Sequence, residues 1–221
     1  MIWNLSEVFN NPLGALTELA YMIPIVLISL TLHEWGHAYA AFRCGDPTAR
    51  NLGRMTLNPL AHIDPIGFIS LLFLGFGWAK PVPVNSRNFR NYKAGEAIVS
   101  LAGVTMNFLL VVLASIVLIV LGRVYPQAFL NNALMQILMY LLGINVSLMV
   151  FNLIPIYPLD GYHLFELLFA RTLPTKVFLF LRRYGNWILI LLLVLFRRLG
   201  ASPISLVQNG VISLILYFIS L

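Results

Sequence analysis

The chain has 221 residues, of which 60% are hydrophobic and only 10% are charged, and its mean hydropathy is +0.87. A soluble domain of ordinary composition carries about 25% charged residues, so this composition excludes such a domain and indicates a protein that crosses a membrane several times. The net charge of +6 does not indicate nucleic-acid binding, because the apolar runs leave no separate basic domain. We expect a lipid bilayer around the protein and no nucleic-acid partner.

The basic residues cluster in one loop, and residues 1–20 have none. Lys and Arg are enriched in loops on the cytoplasmic side of a membrane, so we predict that loop 43–93 faces the cytoplasm of a multi-pass protein in the cell membrane. Within residues 1–20 we predict a short interfacial helix that ends near Asn11 and Pro12. Half of the 14 basic residues lie in the loop, namely Arg43, Arg50, Arg54, Lys80, Arg87, Arg90 and Lys93.

The first apolar run, Tyr21–Phe42, is long enough to cross a bilayer as a helix, yet it contains His33, Glu34 and His37. Ionisable groups at this depth cost roughly 2.5–3.5 kcal/mol each. In a helix the two histidines lie one turn apart on the same face and can bind one metal ion. Glu34 is offset around the helix, where it can reach a water beside the metal. H-E-x-x-H on a helix is therefore a zinc-hydrolase signature, and hydrogen bonding of the histidines to other helices is the alternative.

The loop that follows is predicted to hold short elements. Ala49–Leu57 is predicted to be a strand or hairpin. Lys80–Asn85 is predicted to be an edge strand bordered by prolines, in which the open N–H groups of Val82 and Val84 can pair with an extended substrate; a purely structural linker is the alternative. The apolar stretch Ile66–Trp78, about 13 residues long, is too short to span a bilayer and is predicted to be re-entrant or to dip into the surface. His62 is either a hydrogen-bonded interfacial residue or a functional one.

The second half of the chain is predicted to supply the remaining membrane segments. Ala94–Leu121 runs outward, and a further span from about 133 to 153 returns inward. Tyr162–Ala170 is predicted to be a short helix. A second cytoplasmic loop region is predicted after it from the basic residues Arg171, Lys176, Arg182 and Arg183. Trp187–Phe196 and Ile204–Leu221 are predicted to form a final hairpin or two tilted segments.

Together these elements predict an all-α polytopic membrane protein. We expect a bundle of about five to six transmembrane segments, with a small membrane-associated β element and a re-entrant segment. No repeat divides the chain, so residues 1–221 are predicted to form a single domain with a catalytic core at about 21–170.

A hydrolytic zinc site needs a third protein ligand and an open position besides its two histidines. Asp160 is favoured because it follows an inward-running helix beside a proline break, at the cytoplasmic end, where His37 also lies. We therefore expect one zinc ion per chain, bound by His33, His37 and Asp160, with the active site toward the cytoplasmic side. His163 remains an alternative to Asp160. The candidates outside the loop are Asp160, His163, Glu166 and Glu96.

Three ordered motifs resemble those of the site-2 protease family of intramembrane zinc metalloproteases. His33 to His37 resembles its H-E-x-x-H helix, Ala102 to Asn107 resembles its A-G-x-x-x-N motif, and Asn152 to Gly161 resembles its N-x-x-P…D-G segment, which carries the third ligand. Lys80–Asn85 looks like the membrane-associated strands of that family. The gaps between the motifs are too short for a PDZ domain, so the chain resembles a minimal member.

The resemblance implies hydrolysis of a peptide bond within or beside a transmembrane segment of a substrate protein, as in regulated intramembrane proteolysis. It implies that Glu34 takes a proton from the attacking water and returns it to the leaving amine. It also implies that Asn107 is a candidate donor to the developing oxyanion, and an interhelical hydrogen bond is the alternative for Asn107. A membrane metal-binding or transport protein without protease activity is the alternative. It is less favoured because the polar residues cluster at one depth instead of following a path across the bilayer.

Overall fold

The regular structure of the described residues is helical throughout. The computed structural model describes residues 10–74, 77–125, 133–199 and 203–220. In these ranges single 3-10 turns at Pro59–Ala61 and Ser86–Asn88 accompany the α-helices, so the predicted all-α fold is confirmed. The helices are α1 (Pro12–Cys44), α2 (Thr48–Asn51), α3 (Pro65–Leu74), α4 (Tyr92–Val124), α5 (Ala133–Asn152), α6 (Asp160–Phe169), α7 (Thr175–Leu199) and α8 (Pro203–Ser220).

Helices α1, α4, α5, α7 and α8 are long and apolar enough to cross a membrane, so the described ranges hold five such helices. This number agrees with the predicted bundle of five to six segments. Both α1 and α4 have 33 residues. At about 1.5 Å per residue each is close to 50 Å long, well beyond a hydrocarbon core of about 30 Å, so each helix extends past the membrane core.

The start of α1 differs from the prediction. Pro12 opens this helix, where a missing N–H costs nothing, and the Asn11 side chain accepts the Gly14 N–H at 3.0 Å. The sequence was expected to end a short helix here, but residues 1–9 of that helix lie outside the described residues. At its other end α1 stops because Gly45 adopts the left-handed conformation with φ of 114°, which glycine adopts readily.

Helix α4 is the central helix, since it contacts α1, α5, α6 and α8. An apolar cluster fills the space where α4, α5 and α8 meet. Small side chains such as Ala114 let the backbones of membrane helices approach closely. The buried members of the cluster are Val111, Ala114, Leu118, Met135, Leu138, Leu142, Val146 and Ile215.

The predicted β element is not found among the described residues. Ala49–Leu57 contains the end of α2 followed by turns, because the Asp46 carboxylate accepts the Thr48 N–H and starts a helical turn. Lys80–Asn85 has no helical residues but pairs with no strand, and prolines remove two of its ladder donors. In the described ranges, strand-like pairing is limited to one isolated bridge between Ile63 and Ala79.

The short apolar segment α3 behaves as a segment that does not cross the membrane. Its ten residues extend about 15 Å, half of a hydrocarbon core of about 30 Å. The chain before and after it meets at the Ile63–Ala79 bridge, and the Lys80 N–H donates to the His62 carbonyl at 2.9 Å. The chain therefore enters and leaves this segment at neighbouring positions, on one side of the segment.

Helix α7 begins earlier than predicted. It starts at Thr175 and includes Arg182, which the charge pattern had assigned to a loop. The Arg182 guanidinium donates to the Tyr162 hydroxyl at 2.9 Å and to the Glu166 carboxylate at 2.8 Å. These partners on α6 satisfy the charge, so the helix continues through the basic residues.

Candidate metal centre

Helices α1 and α6 bring three ligand atoms together. The Nε2 atoms of His33 and His37 are 3.1 Å apart, and Asp160 Oδ2 lies 3.4 Å from the first and 3.3 Å from the second. His33 and His37 are buried on α1, and Asp160 is the first residue of α6. Across the described part of the chain, this is the group of His, Cys, Asp and Glu side chains that could hold a metal ion.

The spacing of these atoms suits zinc. Zinc–ligand bonds of about 2.0–2.2 Å in a tetrahedron place the ligand atoms about 3.4 Å apart, close to the three observed separations. Asp160 Oδ2 is buried and accepts no hydrogen bond in the described structure, and a buried carboxylate oxygen without a hydrogen bond is costly. Two imidazoles and one carboxylate also form a known catalytic zinc set. The residues present therefore fit the metal.

The outer nitrogen of each histidine is held by an oxygen that can only accept a hydrogen bond. His33 Nδ1–H donates to Asn107 Oδ1 at 2.6 Å, and His37 Nδ1–H donates to the Val99 carbonyl at 2.8 Å. In a neutral imidazole the proton is then on Nδ1 and the lone pair on Nε2. Both lone pairs consequently face Asp160, which is the arrangement that metal binding requires.

The contact to His33 continues into a buried polar chain. Asn107 Nδ2 donates to Asn145 Oδ1 at 2.8 Å, and Asn145 Nδ2 donates to Ser29 Oγ at 2.9 Å. Asn107, Asn145 and Ser29 are all fully buried. Sequence reasoning missed Asn145 and Ser29, although a polar amide in the apolar helix α5 was an available signal.

Asn107 contacts a histidine in this structure. Its carbonyl oxygen accepts from His33, and its amide nitrogen donates to Asn145. These contacts let Asn107 orient the His33 imidazole. The role in oxyanion stabilisation that was predicted from the sequence stays a prediction.

Glycines of the two other motifs allow the backbones to pack against the site. A Cβ atom on Gly103 would lie 2.4 Å from His33 Cε1 and from His37 Nε2, and one on Gly161 would lie 2.4 Å from the Leu153 carbonyl oxygen. Carbon atoms in favourable contact are about 3.5–4.0 Å apart. Side chains at either position would therefore force the backbone away from the ligands.

Glu34 lies beside the three ligands and is not one of them. Its side chain is 9% exposed, and its Oε2 atom accepts the Val82 N–H at 2.8 Å. The contact links α1 to the extended chain of the loop, 48 residues away.

The other sequence candidates lie in other contacts. The ring of His163 packs edge-on against Tyr162 with ring centroids 5.6 Å apart, and Glu166 pairs with Arg182. His62 is 1% exposed and its Nε2–H donates to the Thr56 carbonyl at 2.9 Å. Neither these three residues nor Glu96 belongs to the ligand cluster.

Comparison with known proteins indicates a peptidase family. The model of Peptidase family M50 matches residues 123–196. "Putative zinc metalloprotease YwhC" of Bacillus subtilis (strain 168) is 40% identical over 154 residues, which cover 68% of this chain and 70% of that protein. "Putative zinc metalloprotease Rip2" of Mycolicibacterium smegmatis is 32% identical over 161 residues, which cover 71% of this chain and 60% of that protein.

A second Rip2 protein, from Mycobacterium tuberculosis (strain H37Rv), is 33% identical over 144 residues, which cover 63% of this chain and 54% of that protein. The matches to the Rip2 proteins thus cover less than two thirds of their length. No solved structure matches the chain. The helices define a multi-pass membrane protein, His33, His37 and Asp160 form a group that could hold a metal ion, and the relatives are named as zinc metalloproteases. The chain belongs to peptidase family M50, the site-2 protease family of intramembrane zinc metalloproteases.

Proposed function

We propose that His33, His37 and Asp160 bind one zinc ion per chain and that Glu34 is the general base for peptide hydrolysis within or beside transmembrane segments of substrate proteins. The observation that carries this proposal is the convergence of two Nε2 atoms and one carboxylate oxygen, each 3.1–3.4 Å from the others. We further propose that residues 1–221 form one domain with its catalytic core at about 21–170, the part that contains every residue of the site.

Each group in the site has a role in this reaction. Zinc, when bound here, supplies Lewis-acid chemistry that activates a water molecule and polarises the scissile carbonyl. Glu34 accepts the proton of the attacking water and delivers it to the leaving amine. Asn107 and Asn145 keep the His33 imidazole in one orientation. Burial of the ligands limits access of bulk water, and this strengthens the electrostatic interactions in the site.

A cavity of about 630 Å³ offers space for a membrane-embedded segment, although His33, Glu34, His37 and Asp160 are not part of its lining. Apolar residues of α1, α3 and α5 make up much of that lining, among them Val26, Phe68 and Ile144. Backbone carbonyls of a helical substrate are engaged in hydrogen bonds, so the scissile segment must unwind before attack.

We also propose that the protein lies in the cell membrane with loop 43–93 and the active site toward the cytoplasm. The high density of Lys and Arg in this loop supports the orientation. The test is thiol labelling from either side of sealed vesicles, with Ser86→Cys in the loop and Tyr125→Cys at the far end of α4, each in a Cys44→Ser background. Labelling of Ser86→Cys from the outside would overturn the orientation.

The function is tested with the Glu34→Gln variant in purified protein and a reporter transmembrane substrate. The variant is expected to keep one zinc per chain but to cleave roughly 10²–10⁴-fold more slowly, the usual contribution of a general base. Glu96→Gln is the matched control, because this half-buried carboxylate on α4 lies outside the ligand cluster. Normal turnover by Glu34→Gln would show that another group transfers the proton.

A further inference from the structure

The loop segment Lys80–Asn85, which we call the strap, passes across α1 at the site. In its middle, the Val82 N–H donates to Glu34 Oε2 at 2.8 Å. Both residues are buried, and the Val82 side chain packs against Ala38 and Ala49. A hydrogen bond from an amide to a carboxylate is charge-assisted and stronger than a neutral one.

The strap offers this donor in a defined way. Val82 stands between Pro81 and Pro83, which have no N–H and restrict their own φ angles to about −65°. The tripeptide therefore presents a single backbone donor on a stiff chain, and that donor contacts Glu34.

Both ends of the strap are anchored to the loop before it. Arg54 Nη2 donates to the carbonyl oxygens of Lys80 at 2.8 Å and Pro81 at 3.2 Å. At the other end, the Asn85 N–H donates to Asp46 Oδ2 at 2.7 Å. The position of the Val82 N–H is consequently set by side chains on either side of it.

We infer that the strap positions the general base. The Val82 N–H holds one carboxylate oxygen of Glu34 and selects one rotamer. The other oxygen, Oε1, accepts no hydrogen bond in the described structure and is the oxygen available for proton transfer. This inference rests on the proposed role of Glu34. Misplacement of a reacting group by about 1 Å costs on the order of 10²-fold in rate, so one backbone donor can have a large effect on turnover.

The inference changes the prediction that Val82 and Val84 both offer open donors to an extended substrate. In extended chain the N–H groups of residues i and i+2 point to the same edge. The Val82 donor is already bonded to Glu34, whereas Val84 is 39% exposed and its N–H has no hydrogen bond in the described ranges. Strand addition of substrate at Val84 stays a prediction.

The test removes the Val82 N–H in the full-length, zinc-loaded protein. Val82→Pro is expected to keep zinc and KM but to lower kcat about 10- to 100-fold. Val84→Pro makes the same change two residues away without touching Glu34, so it is expected to leave the infrared carboxylate stretch of Glu34 unchanged, whereas loss of the Val82 N–H is expected to shift it. Equal kcat values for Val82→Pro and wild type would overturn the inference.

A second variant covers the case in which Val82→Pro does not fold. Replacement of Val82 by its α-hydroxy acid analogue converts one amide to an ester, which removes the N–H and keeps the isopropyl group. We expect the same fall in kcat, together with a shift of the Glu34 carboxylate stretch in the infrared spectrum, which is assigned by its loss in Glu34→Gln. An unshifted band would show that the hydrogen bond does not form.

The anchors give a graded version of the test. Arg54→Met is expected to lower kcat without changing zinc content, and Arg54→Lys, which keeps one donor, is expected to restore part of it. The outcomes also separate this inference from the proposed function. If Glu34→Gln is inactive and the ester variant has a normal kcat, the strap has no positioning role. If Glu34→Gln is active, the proposed base itself is wrong.

Discussion

Two regions of the membrane bundle differ in the contacts that their helices make. One is the interface of α1 with α4 and α5, and the other is the C-terminal pair α7 and α8. At the first, buried polar side chains contact one another across helices, as His33, Asn107 and Asn145 do. In the second region, only 6% of α8 is buried inside the protein. Apolar residues facing lipid are interchangeable because lipid is as apolar as they are. Specific residues are therefore required mainly where polar groups are buried.

The largest effect is expected at the metal ligands. Asp160→Ala should abolish zinc binding and cleavage, because two histidines alone hold zinc poorly. Metal analysis of the purified variant and a cleavage assay check this. Glu166→Gln is the matched control, because Glu166 is on the same helix but outside the ligand cluster. This variant should keep its zinc. Stoichiometric zinc in Asp160→Ala would instead assign the third position to His163.

A packing comparison tests the difference between the two regions directly. Leu142 on α5 is fully buried in the cluster with α4 and α8, whereas Leu216 on α8 is 51% exposed. Leu142→Ala should lower the free energy of unfolding by about 2–5 kcal/mol through the cavity that it leaves. Leu216→Ala should change it by no more than about 0.5 kcal/mol. Unfolding in mixed micelles measures both, and equal losses would contradict the comparison.

The polar chain behind His33 should show a smaller effect. Asn145→Leu leaves the Asn107 amide without its acceptor, so the imidazole loses orientation and zinc affinity should fall about 10- to 100-fold. Competition with a chelator measures this affinity. Gln136→Leu makes a comparable change at an exposed position of the same helix and should leave the affinity unchanged. Equal affinities of Asn145→Leu and wild type would show that Asn107 needs no support.

The smallest expected effect is the pH-dependent contribution of Asp46, outside the membrane, to the stability of the folded protein. Burial acts to raise the pKa of the Asp46 carboxyl, but hydrogen bonds from the Asn85 N–H and from Thr48 and Asn88 outweigh it and lower the pKa. The unfolded chain, with a pKa of about 3.9, therefore takes up the proton first as pH falls. The stabilisation by Asp46 is present at neutral pH and is lost progressively below about pH 4.

The variant Asp46→Asn removes this titration. Its melting temperature should be below that of the wild type at pH 7, by the equivalent of about 1–3 kcal/mol for weakened buried hydrogen bonds, and the difference should narrow as the pH falls below 4. A difference that does not change with pH would mean that the charge of Asp46 makes no contribution.

Residues close in sequence were the ones that could be predicted. The spacing of His33 and His37 on a helix puts both on one face, and the length of the apolar runs gave the spans. Asp160 was selected by topology from four candidates. The Val82–Glu34 and Asn145–Ser29 contacts join residues 48 and 116 positions apart, and no periodicity in the chain indicates such pairs.

Two predictions failed because the structure formed depends on contacts with distant parts of the chain, which a local pattern does not show. The β element was expected from extended proline-bordered chain, but in the described residues the Lys80–Asn85 strap has no second strand beside it. The beginning of α7 was placed too late because Arg182 looked like a loop residue. Its partners on α6, Tyr162 and Glu166, come from a different part of the chain.

The close approach of Gly103 to both imidazoles has a consequence for how the site could be lost. A single methyl group there would meet His33 and His37 at 2.4 Å, although Gly103 itself binds nothing. Added volume at Gly103 is therefore expected to inactivate the enzyme while His33, His37, Asp160 and Glu34 are all still present. A screen for inactive variants should therefore find substitutions on α4, which packs against the ligands, as readily as substitutions of the ligands themselves. A related protein that retains H-E-x-x-H need not be an active protease.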